Sequence, residues 1–441
     1  MMGINDLKNK KVCLLGLGLE NLSLANYLKH KDIDVEILDK RNADEIGERF
    51  KIVKKLCLKF YGGSDYLKHI FNFDILFKTP GFIGNLKLKK DVIVTTPMEL
   101  FFDLCPATII AITGTKGKGT VASLCYHILN RGSKKAWLAG NIGRAPFDFI
   151  DKLKPDHFVV LELSSFQLMN FKKRPHIAVV TNLFPEHLAP ADPVNLVFHD
   201  NLEEYYGAKA NLFLNQNQSD WLVVNQNNHH DGPILKKSKA QKIYFKTNKN
   251  LPKNKFLIGS HNQENIAAAF AVAKILKVPE KIINNAVKTF PGLRYHLEFF
   301  GNINGIKFYN DSSSTMPQAT LAAINSFSSP LTLILGGVNK GYDLSDLSKK
   351  IKTCKNLKSV ILIGKTSFIF LKIFKKLNLN FQVVIGEKNI AAIVKKSLAL
   401  SNRGDIVLFS PGFASFDMFK NSKDRGEKFQ KAVFDIKRDN H

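Results

Sequence analysis

A glycine-rich segment carries the residues with the clearest chemical use. The stretch 112–120 reads ITGTKGKGT; it follows the apolar run ATIIAIT and leads into TVASLCYHIL. Glycines let a backbone wrap closely around an anion, and the amide groups at a helix start point towards it. Lys118 would place a cation on the β- and γ-phosphates of a nucleotide. We therefore predict a phosphate-binding loop formed by Gly114, Thr115, Lys116, Gly117, Lys118, Gly119 and Thr120.

This loop departs from the general pattern at one position. A serine or threonine that binds magnesium usually follows the lysine directly, but Gly119 stands there and the hydroxyl comes one residue later, at Thr120. Thr120 becomes the candidate magnesium ligand, and the identity of the first ligand stays open. A purely structural glycine turn is the weaker alternative, because two lysines lie in it.

Two more groups follow later strands. Glu162 lies near the end of the apolar run FVVLE, and His187 follows the run HIAVVTNL. Ligands of open α/β sheets bind beyond the carboxyl ends of the strands, so both side chains could face a bound triphosphate. Magnesium prefers oxygen ligands, and a carboxylate with phosphate oxygens is its usual environment. We predict that Glu162 and His187 take part in a metal site.

The elements that must position these groups alternate between strand and helix signals along the whole chain. This alternation predicts an α/β protein with parallel sheets and crossover helices. The 441 residues suggest about three domains. We place them at 1–97, 98–297 and 298–441, with a linker near Pro291 and Gly292. The expected order is a Rossmann-like domain, a central domain of the P-loop ATPase type, and a second Rossmann-like domain.

Composition limits the partners. The net charge of +26 admits a nucleic-acid ligand, but the lysines are spread over the chain without a basic cluster interleaved with aromatic residues. We expect no nucleic-acid partner, although a positive field could attract anionic nucleotides. Five scattered cysteines indicate reduced thiols, and no apolar run is long enough to span a membrane. The sequence predicts a cytoplasmic protein without a membrane partner, and we expect a monomer.

Several segments resemble the central-domain motifs of the Mur ligase family. They are ELSSFQL at 162–168, TNLFPEHL at 181–188, and the GNIG turn at 140–143. The resemblance implies that Glu162 and His187 bind magnesium, and that Lys209 carries a carbamate that helps to hold a second ion. It also implies that Asn262, which opens a helix after His261, contacts the adenine of ATP. His296 stands where the family usually has an arginine near ATP.

The outer blocks extend the resemblance over nearly the whole chain. A loop from Gly16 to Asn21 resembles the UDP cradle of the D-glutamate-adding members of the family, and the turn after Lys78 resembles their Ser-Pro-Gly turn. The usual small residue is replaced by Glu20, an acid that would be unfavourable beside a diphosphate unless it points away. The implied contacts to the UDP-linked substrate come from Leu19, Asp39, Lys40, Arg41, Thr79, Gly81 and Asn141.

The third block distinguishes members of the family. Asn310-Asp311-Ser312, the turn GGVNKG at 336–341, and SPGFASFDMF at 410–419 resemble motifs of the D-glutamate-adding enzymes, whereas a DNPR-type motif is not found. The resemblance implies that Asp311 orders the ATP end of the site. It implies contacts to D-glutamate from Thr315, Lys340, Ser415 and the backbone of Phe416. The lysine that commonly follows the NDS serine is replaced by Ser313, so a hydroxyl or another lysine must substitute.

The activity implied is ATP-dependent amide formation between UDP-N-acetylmuramoyl-L-alanine and D-glutamate, with two magnesium ions and an acyl phosphate intermediate. Four alternatives remain: a folylpolyglutamate synthase-type ligase, favoured by the G-K-G-T loop; a Mur ligase with a different amino acid; a basic P-loop ATPase acting on nucleic acid; and a degenerate binding protein, suggested by Gly119, His296 and Ser313.

Overall fold

A computed structural model describes residues 1–82, 86–186, 188, 197–227, 235–387 and 389–439. The chain divides into two compact units. The first comprises Met1–Leu251 with Glu264–Val287, and the second comprises Pro252–Gln263 with Lys288–His441. Short 3₁₀ helices lie in the first unit at Ile4–Leu7, Tyr66–Asn72, Pro146–Asp148 and Ile150–Lys152.

The first unit begins with a five-stranded parallel sheet. Its strands are β1 (Val12–Leu15), β2 (Val35–Asp39), β3 (Lys59–Gly62), β4 (Ile75–Lys78) and β5 (Ile93–Thr95), in the order β3-β2-β1-β4-β5. The accompanying helices are α1 (Leu19–Lys29), α2 (Ala43–Ile46), α3 (Glu48–Lys55) and α4 (Pro97–Leu104). All four residues of β1 are buried, because helices cover parallel sheets on both faces.

A second parallel sheet belongs to the same unit. Its strands are β6 (Thr108–Thr113), β7 (Ala136–Gly140), β8 (Phe158–Glu162), β9 (Ile177–Val180), β10 (Trp221–Asn225) and β11 (Gln241–Phe245), in the order β11-β10-β9-β6-β8-β7. The helices that follow these strands are α5 (Lys118–Arg131), α6 (Ser165–Leu168), α7 (Leu202–Leu214), α8 (Ser260–Ile275) and α9 (Glu280–Thr289). Strand β6 lies inside the sheet, so the loop that follows it opens at the middle of the carboxyl edge.

The second unit contains the third sheet. Its strands are β12 (Glu298–Ile303), β13 (Ile306–Asn310), β14 (Leu331–Gly336), β15 (Leu357–Ile363), β16 (Gln382–Ile385) and β17 (Ile406–Phe409), in the order β12-β13-β17-β14-β15-β16. Strand β12 pairs antiparallel with β13, and the other pairs are parallel. Its helices are α10 (Pro317–Ile324), α11 (Leu344–Lys352), α12 (Ser367–Lys375), α13 (Ile390–Ala399) and α14 (Ser422–Asp439).

The predicted α/β class with parallel sheets is confirmed. Each sheet falls inside one of the three predicted blocks, but the first two sheets share one compact unit and one apolar core. The division into three domains therefore stays a prediction. Among the described residues, no helix is long and apolar enough to cross a membrane.

Candidate active site

The glycine-rich loop connects β6 to α5, as the sequence predicts. Gly114 has φ +141° and Gly117 has φ +82°, conformations that side chains rarely adopt. A β-carbon on Gly114 would lie 2.0 Å from Thr181 Oγ1, and one on Gly117 would lie 2.2 Å from Asn265 Oδ1. Both positions therefore require glycine. The loop packs closely against Thr181 and Asn265, and its backbone amides lie at the start of α5.

Two lysines converge on this loop from different helices. Lys118, at the start of α5, donates from Nζ to the carbonyl oxygens of Gly114 at 3.0 Å and Thr115 at 2.9 Å. Lys209, on α7, donates to the Gly114 carbonyl at 2.9 Å and is 2% exposed. The two side-chain nitrogens therefore share one carbonyl acceptor beside the loop.

Burial alters the titration of both lysines. Burial lowers the pKa of Lys209 well below its ordinary value, and the neighbouring Lys118 lowers it further, against smaller opposing effects of Glu186 and Glu162. Burial also lowers the pKa of Lys118, with the same two carboxylates acting in the opposite direction. A lowered pKa increases the neutral amine population at neutral pH, which is the form that reacts as a nucleophile.

Two of the predicted loop residues, Thr115 and Lys116, use their side chains for contacts within the protein. The Thr115 hydroxyl lies 2.9 Å from Tyr205 Oη, with 3.2 Å to the carbonyl of Phe184. Lys116 forms an ion pair with Glu186. Thr120 lies in the first turn of α5, next to Gly119, and is half-buried. The hydroxyl of Thr115 thus braces the loop against α7.

The predicted metal carboxylate lies at the end of β8, beside the loop strand. Glu162 is 5% exposed, and its Oε1 accepts a hydrogen bond from Asn141 Nδ2 at 3.3 Å. The amide of Asn141 also donates to the Glu162 carbonyl oxygen at 2.9 Å. His187 lies outside the described residues. Among the described residues, no group of three or more His, Cys, Asp or Glu side chains could hold a metal ion.

The residues predicted to hold the UDP group line one cavity of about 690 Å³ in the first unit. Its lining includes Leu19, Lys40, Thr79, Gly81 and Asn141, with the Asp39–Arg41 pair described next. Leu19 is 65% exposed. The sequence motifs thus identified residues that share a cavity, and Asn141 contacts both this cavity and Glu162.

Inside this cavity Asp39 and Arg41 neutralise each other. Arg41 donates to Asp39 from Nε at 2.9 Å and from Nη2 at 2.7 Å, and Leu17 N donates to Asp39 at 2.6 Å. Burial pushes the pKa of Asp39 up, but the hydrogen bonds from Arg41 and Leu17 outweigh it and hold the pKa below its ordinary value. Arg49 Nη1 donates to the Leu17 carbonyl at 3.1 Å and lines the same cavity, although no motif indicated it.

Glu20, in the first turn of α1, also lines this cavity. Its Oε1 accepts a hydrogen bond from Gln167 Nε2 on α6, whose side-chain oxygen accepts from the Ser164 amide. Burial raises the pKa of Glu20, and the bond from Gln167 partly offsets that effect. Burial therefore favours the neutral acid at this cavity wall, which would lessen its repulsion of a diphosphate.

The second unit holds the predicted residues of the NDS motif. Asp311 is 6% exposed; its carboxylate accepts hydrogen bonds from Leu297 N at 2.9 Å, Ser410 Oγ at 2.7 Å and Ser314 Oγ. Burial raises the pKa of Asp311, against the hydrogen bonds from Ser314 and Ser410. Through these contacts Asp311 links the segments that carry Leu297, Ser314 and Ser410 within the second unit.

The other predicted residues of this unit differ in their solvent exposure. Ser415 is buried, and its carbonyl accepts from the amides of Met418 and Phe419. Phe416 is 61% exposed, while Thr315 and Lys340 are half-buried. His296 is exposed, with Nδ1 2.9 Å from the Arg294 carbonyl.

Asn262 opens α8, as predicted, and donates to the Ile258 carbonyl at 2.7 Å. Asn262 is 7% exposed, and its backbone amide donates a hydrogen bond to the Gly259 carbonyl. Both hydrogen bonds connect Asn262 to the residues just before α8.

A glycine-rich loop between an inner strand of a parallel sheet and the start of a helix is an arrangement typical of nucleotide-dependent α/β enzymes. Residues 112–256 match the family model of the Mur ligase middle domain. A UDP-N-acetylmuramoylalanine–D-glutamate ligase from Clostridium kluyveri is 36% identical over 98% of this chain and 98% of its own. The chain belongs to the Mur ligase family and is grouped with these D-glutamate ligases.

Solved structures agree on the fold. The UDP-N-acetylmuramate–alanine ligase MurC from Thermotoga maritima aligns with a TM-score of 0.59 at 15% identity, covering 97% of this chain and 100% of its own. The MurF ligase from Thermotoga maritima, solved in complex with ADP, also gives 0.59 at 13% identity, covering 92% and 97%.

Sequence reasoning missed several residues that shape the site. Tyr205 lies four positions before Lys209 on α7, a helical spacing that places both on one face and could have indicated it. Thr181 donates to the Lys116 carbonyl at 2.6 Å, and Asn182 accepts the Lys116 amide at 2.8 Å. Both directly follow β9, where the carboxyl-edge rule would direct attention.

Proposed function

We propose that this protein uses ATP to join D-glutamate to UDP-N-acetylmuramoyl-L-alanine, a step of peptidoglycan synthesis, and that it does so in the cytoplasm. The observation that carries the nucleotide part is the convergence of Lys118 and Lys209 on the Gly114 carbonyl, beside the buried carboxylate of Glu162. The full-length likeness to D-glutamate ligases supports the two substrates.

The first chemical step joins two anions, so charge must be neutralised. An oxygen of the L-alanyl carboxylate attacks the γ-phosphorus of ATP, the bond to ADP breaks, and an acyl phosphate forms. Lys118 and the loop amides bind the phosphate oxygens and stabilise the charge that moves onto them. Asn141, which lines the precursor cavity and contacts Glu162, orients the precursor towards the loop.

The second step forms the amide. The amine of D-glutamate attacks the acyl carbon, the carbon–oxygen bond to phosphate breaks, and the amine loses a proton. We assign Lys340, Thr315, Ser415 and the backbone of Phe416 to the binding of the two D-glutamate carboxylates, which need donors when they leave water. Asp311, His296 and Asn262 are assigned to the ATP end of the site.

The side chains near the glycine-rich loop have the chemistry of magnesium ligands. Glu162 offers a buried carboxylate, Thr120 offers a hydroxyl, and the carbamate proposed for Lys209 would add two oxygens; His187 completes the assignment. The lowered pKa of Lys209 favours that modification, because the neutral amine is the form that adds to CO₂. Two bound ions would supply neutralising charge to the triphosphate.

One assay tests the proposal. Purified protein is given MgATP and UDP-N-acetylmuramoyl-L-alanine with D-glutamate, L-glutamate, L-lysine or meso-diaminopimelate, and ADP release and product mass are measured. The proposal requires ADP release that depends on both the precursor and D-glutamate, with a product heavier by one glutamyl residue. Release with another amino acid, with a folate acceptor, or on addition of nucleic acid would support the alternatives instead.

A further inference from the structure

Arg425, in the first turns of α14, is a fully buried cation in the second unit. Its side chain is 1% exposed. Nε donates to Ser312 Oγ at 3.0 Å, Nη2 donates to the Ser312 carbonyl at 2.8 Å, and Nη1 donates to the Phe413 carbonyl at 2.9 Å. All three acceptors are neutral, and within the described part of the chain Arg425 forms no salt bridge.

Burying a charge without a directly bonded counter-ion costs free energy. The hydrogen bonds to the guanidinium must therefore have good geometry to offset that cost. Burial lowers the pKa of Arg425 to about 10, against the opposing charges of Asp417 and Asp311. The guanidinium is therefore still charged at neutral pH. A lysine could not reproduce these contacts, because its ammonium is a point charge and lacks the planar fork of donors.

The bonded residues belong to two loops that matter for the proposed reaction. Ser312 lies in the loop after β13 that leads to Thr315, and Phe413 lies in the loop after β17 that leads to Ser415. The same two loops are joined by Gly412 N, which donates to the Ser314 carbonyl at 3.0 Å. The loop after β13 is also tied to α14, since Asn310 Nδ2 donates to Gly426 O at 2.9 Å and Ser312 Oγ donates to Ser422 O at 2.7 Å.

We propose that Arg425 is a positioning residue that fixes the Ser312 loop and the Phe413 loop relative to each other, so that donors on both meet the two carboxylates of the incoming amino acid. This inference rests on the proposed function, because the amino-acid site is assigned there. Arg425 contacts the loops and not the substrate. Its loss should change the binding of D-glutamate more than the binding of ATP or of the UDP-linked precursor.

The test compares Arg425→Ala and Arg425→Lys with Arg438→Ala, a control on the same helix whose side chain is 79% exposed. Steady-state constants are measured for D-glutamate, ATP and the precursor, with and without added guanidinium chloride at low millimolar concentration. We expect both Arg425 variants to raise the KM for D-glutamate roughly tenfold or more, while the other two KM values stay within about twofold. Guanidinium should restore Arg425→Ala, and it should not restore Arg425→Lys, whose side chain fills the site.

An unchanged KM for D-glutamate in folded Arg425→Ala would overturn the inference. So would a parallel rise of all three KM values without rescue, because that pattern belongs to general loosening of the fold. If Arg425→Ala does not fold, Ser312→Ala decides: it removes the acceptor of Nε and should raise the KM for D-glutamate selectively, by a smaller factor. Wild-type protein that fails to add D-glutamate would instead overturn the proposed function, so the two failures are distinguishable.

Discussion

Lys118 and Lys209 donate hydrogen bonds to the same acceptor, the carbonyl oxygen of Gly114, from 3.0 and 2.9 Å. Lys118 lies at the start of α5, and Lys209 lies in the middle of α7, 91 positions further along the chain. Burial and the neighbouring Lys118 lower the pKa of Lys209, which favours a neutral amine at this position.

Lys118→Ala should abolish most turnover while leaving the fold intact. Removing one preorganised donor from a charged transition state costs about a hundredfold to a thousandfold in kcat. Steady-state ADP release measures the loss, and circular dichroism monitors folding. Lys281→Ala, an exposed change on α9, is the control and should behave as wild type. Wild-type turnover by Lys118→Ala would rule out its phosphate role.

Gly114→Ala and Gly207→Ala should have opposite effects on stability. The first places a β-carbon 2.0 Å from Thr181 Oγ1 at φ +141°, whereas the second has nothing within 4 Å and lies inside α7. We expect Gly114→Ala to lose about 1–3 kcal/mol and its ATP binding. Gly207→Ala should gain about 0.5–1 kcal/mol, because alanine is the better helix former. Thermal unfolding and nucleotide titration of both variants provide the comparison, and equal shifts would count against the loop geometry.

Glu20→Gln should show a stability difference that depends on pH. The pKa of Glu20 is raised in the folded protein, so its folded form binds a proton more readily than the unfolded chain. The resulting stabilisation is complete below the unfolded pKa of about 4.3 and is lost as pH rises through the folded pKa. Glutamine mimics the neutral acid at every pH, so the Tm of the variant minus that of wild type should increase with rising pH. A constant difference from pH 4 to 8 would contradict the neutral-acid assignment.

Asp39→Asn should weaken the binding of the UDP-linked precursor. The carboxylate holds both Arg41 and the amide of Leu17, and an uncharged amide cannot satisfy the same donors. We expect the KM for the precursor to rise roughly tenfold to a hundredfold, with the KM for D-glutamate unchanged. Asp34→Asn serves as the control, since that side chain is 90% exposed. A rise in both KM values for Asp39→Asn would point to a wider disturbance.

The strands, the helices and the glycine-rich loop could be predicted because each depends on residues that are close together in the sequence. The apolar run of β6, the glycines after it and the helical segment of α5 are contiguous, so the sequence predicts the strand, the loop and the helix together. The alternation of strands and helices likewise predicts parallel sheets, and the sheets are there. The fold class could be reached from local signals alone.

The finer contacts depend on residues far apart in the chain. The hydroxyl of Thr115 contacts Tyr205, 90 positions away, a partner that the local sequence does not indicate. Asp39 and Arg41 form an ion pair with each other, and their prediction as substrate contacts did not include this pairing. The burial of Arg425 against Ser312 and Phe413 depends on how three segments pack. Hydrogen-bond partners of this kind are set by tertiary packing, which a single sequence does not encode locally.

The origin of the phosphate oxygen tests the central claim most directly. UDP-N-acetylmuramoyl-L-alanine labelled with ¹⁸O in its terminal carboxylate is turned over with MgATP and D-glutamate, and the released phosphate is analysed by mass spectrometry. If the loop around Lys118 directs the γ-phosphoryl group onto that carboxylate, each phosphate carries one ¹⁸O atom from the precursor. Amide product accompanied by unlabelled phosphate would contradict the account.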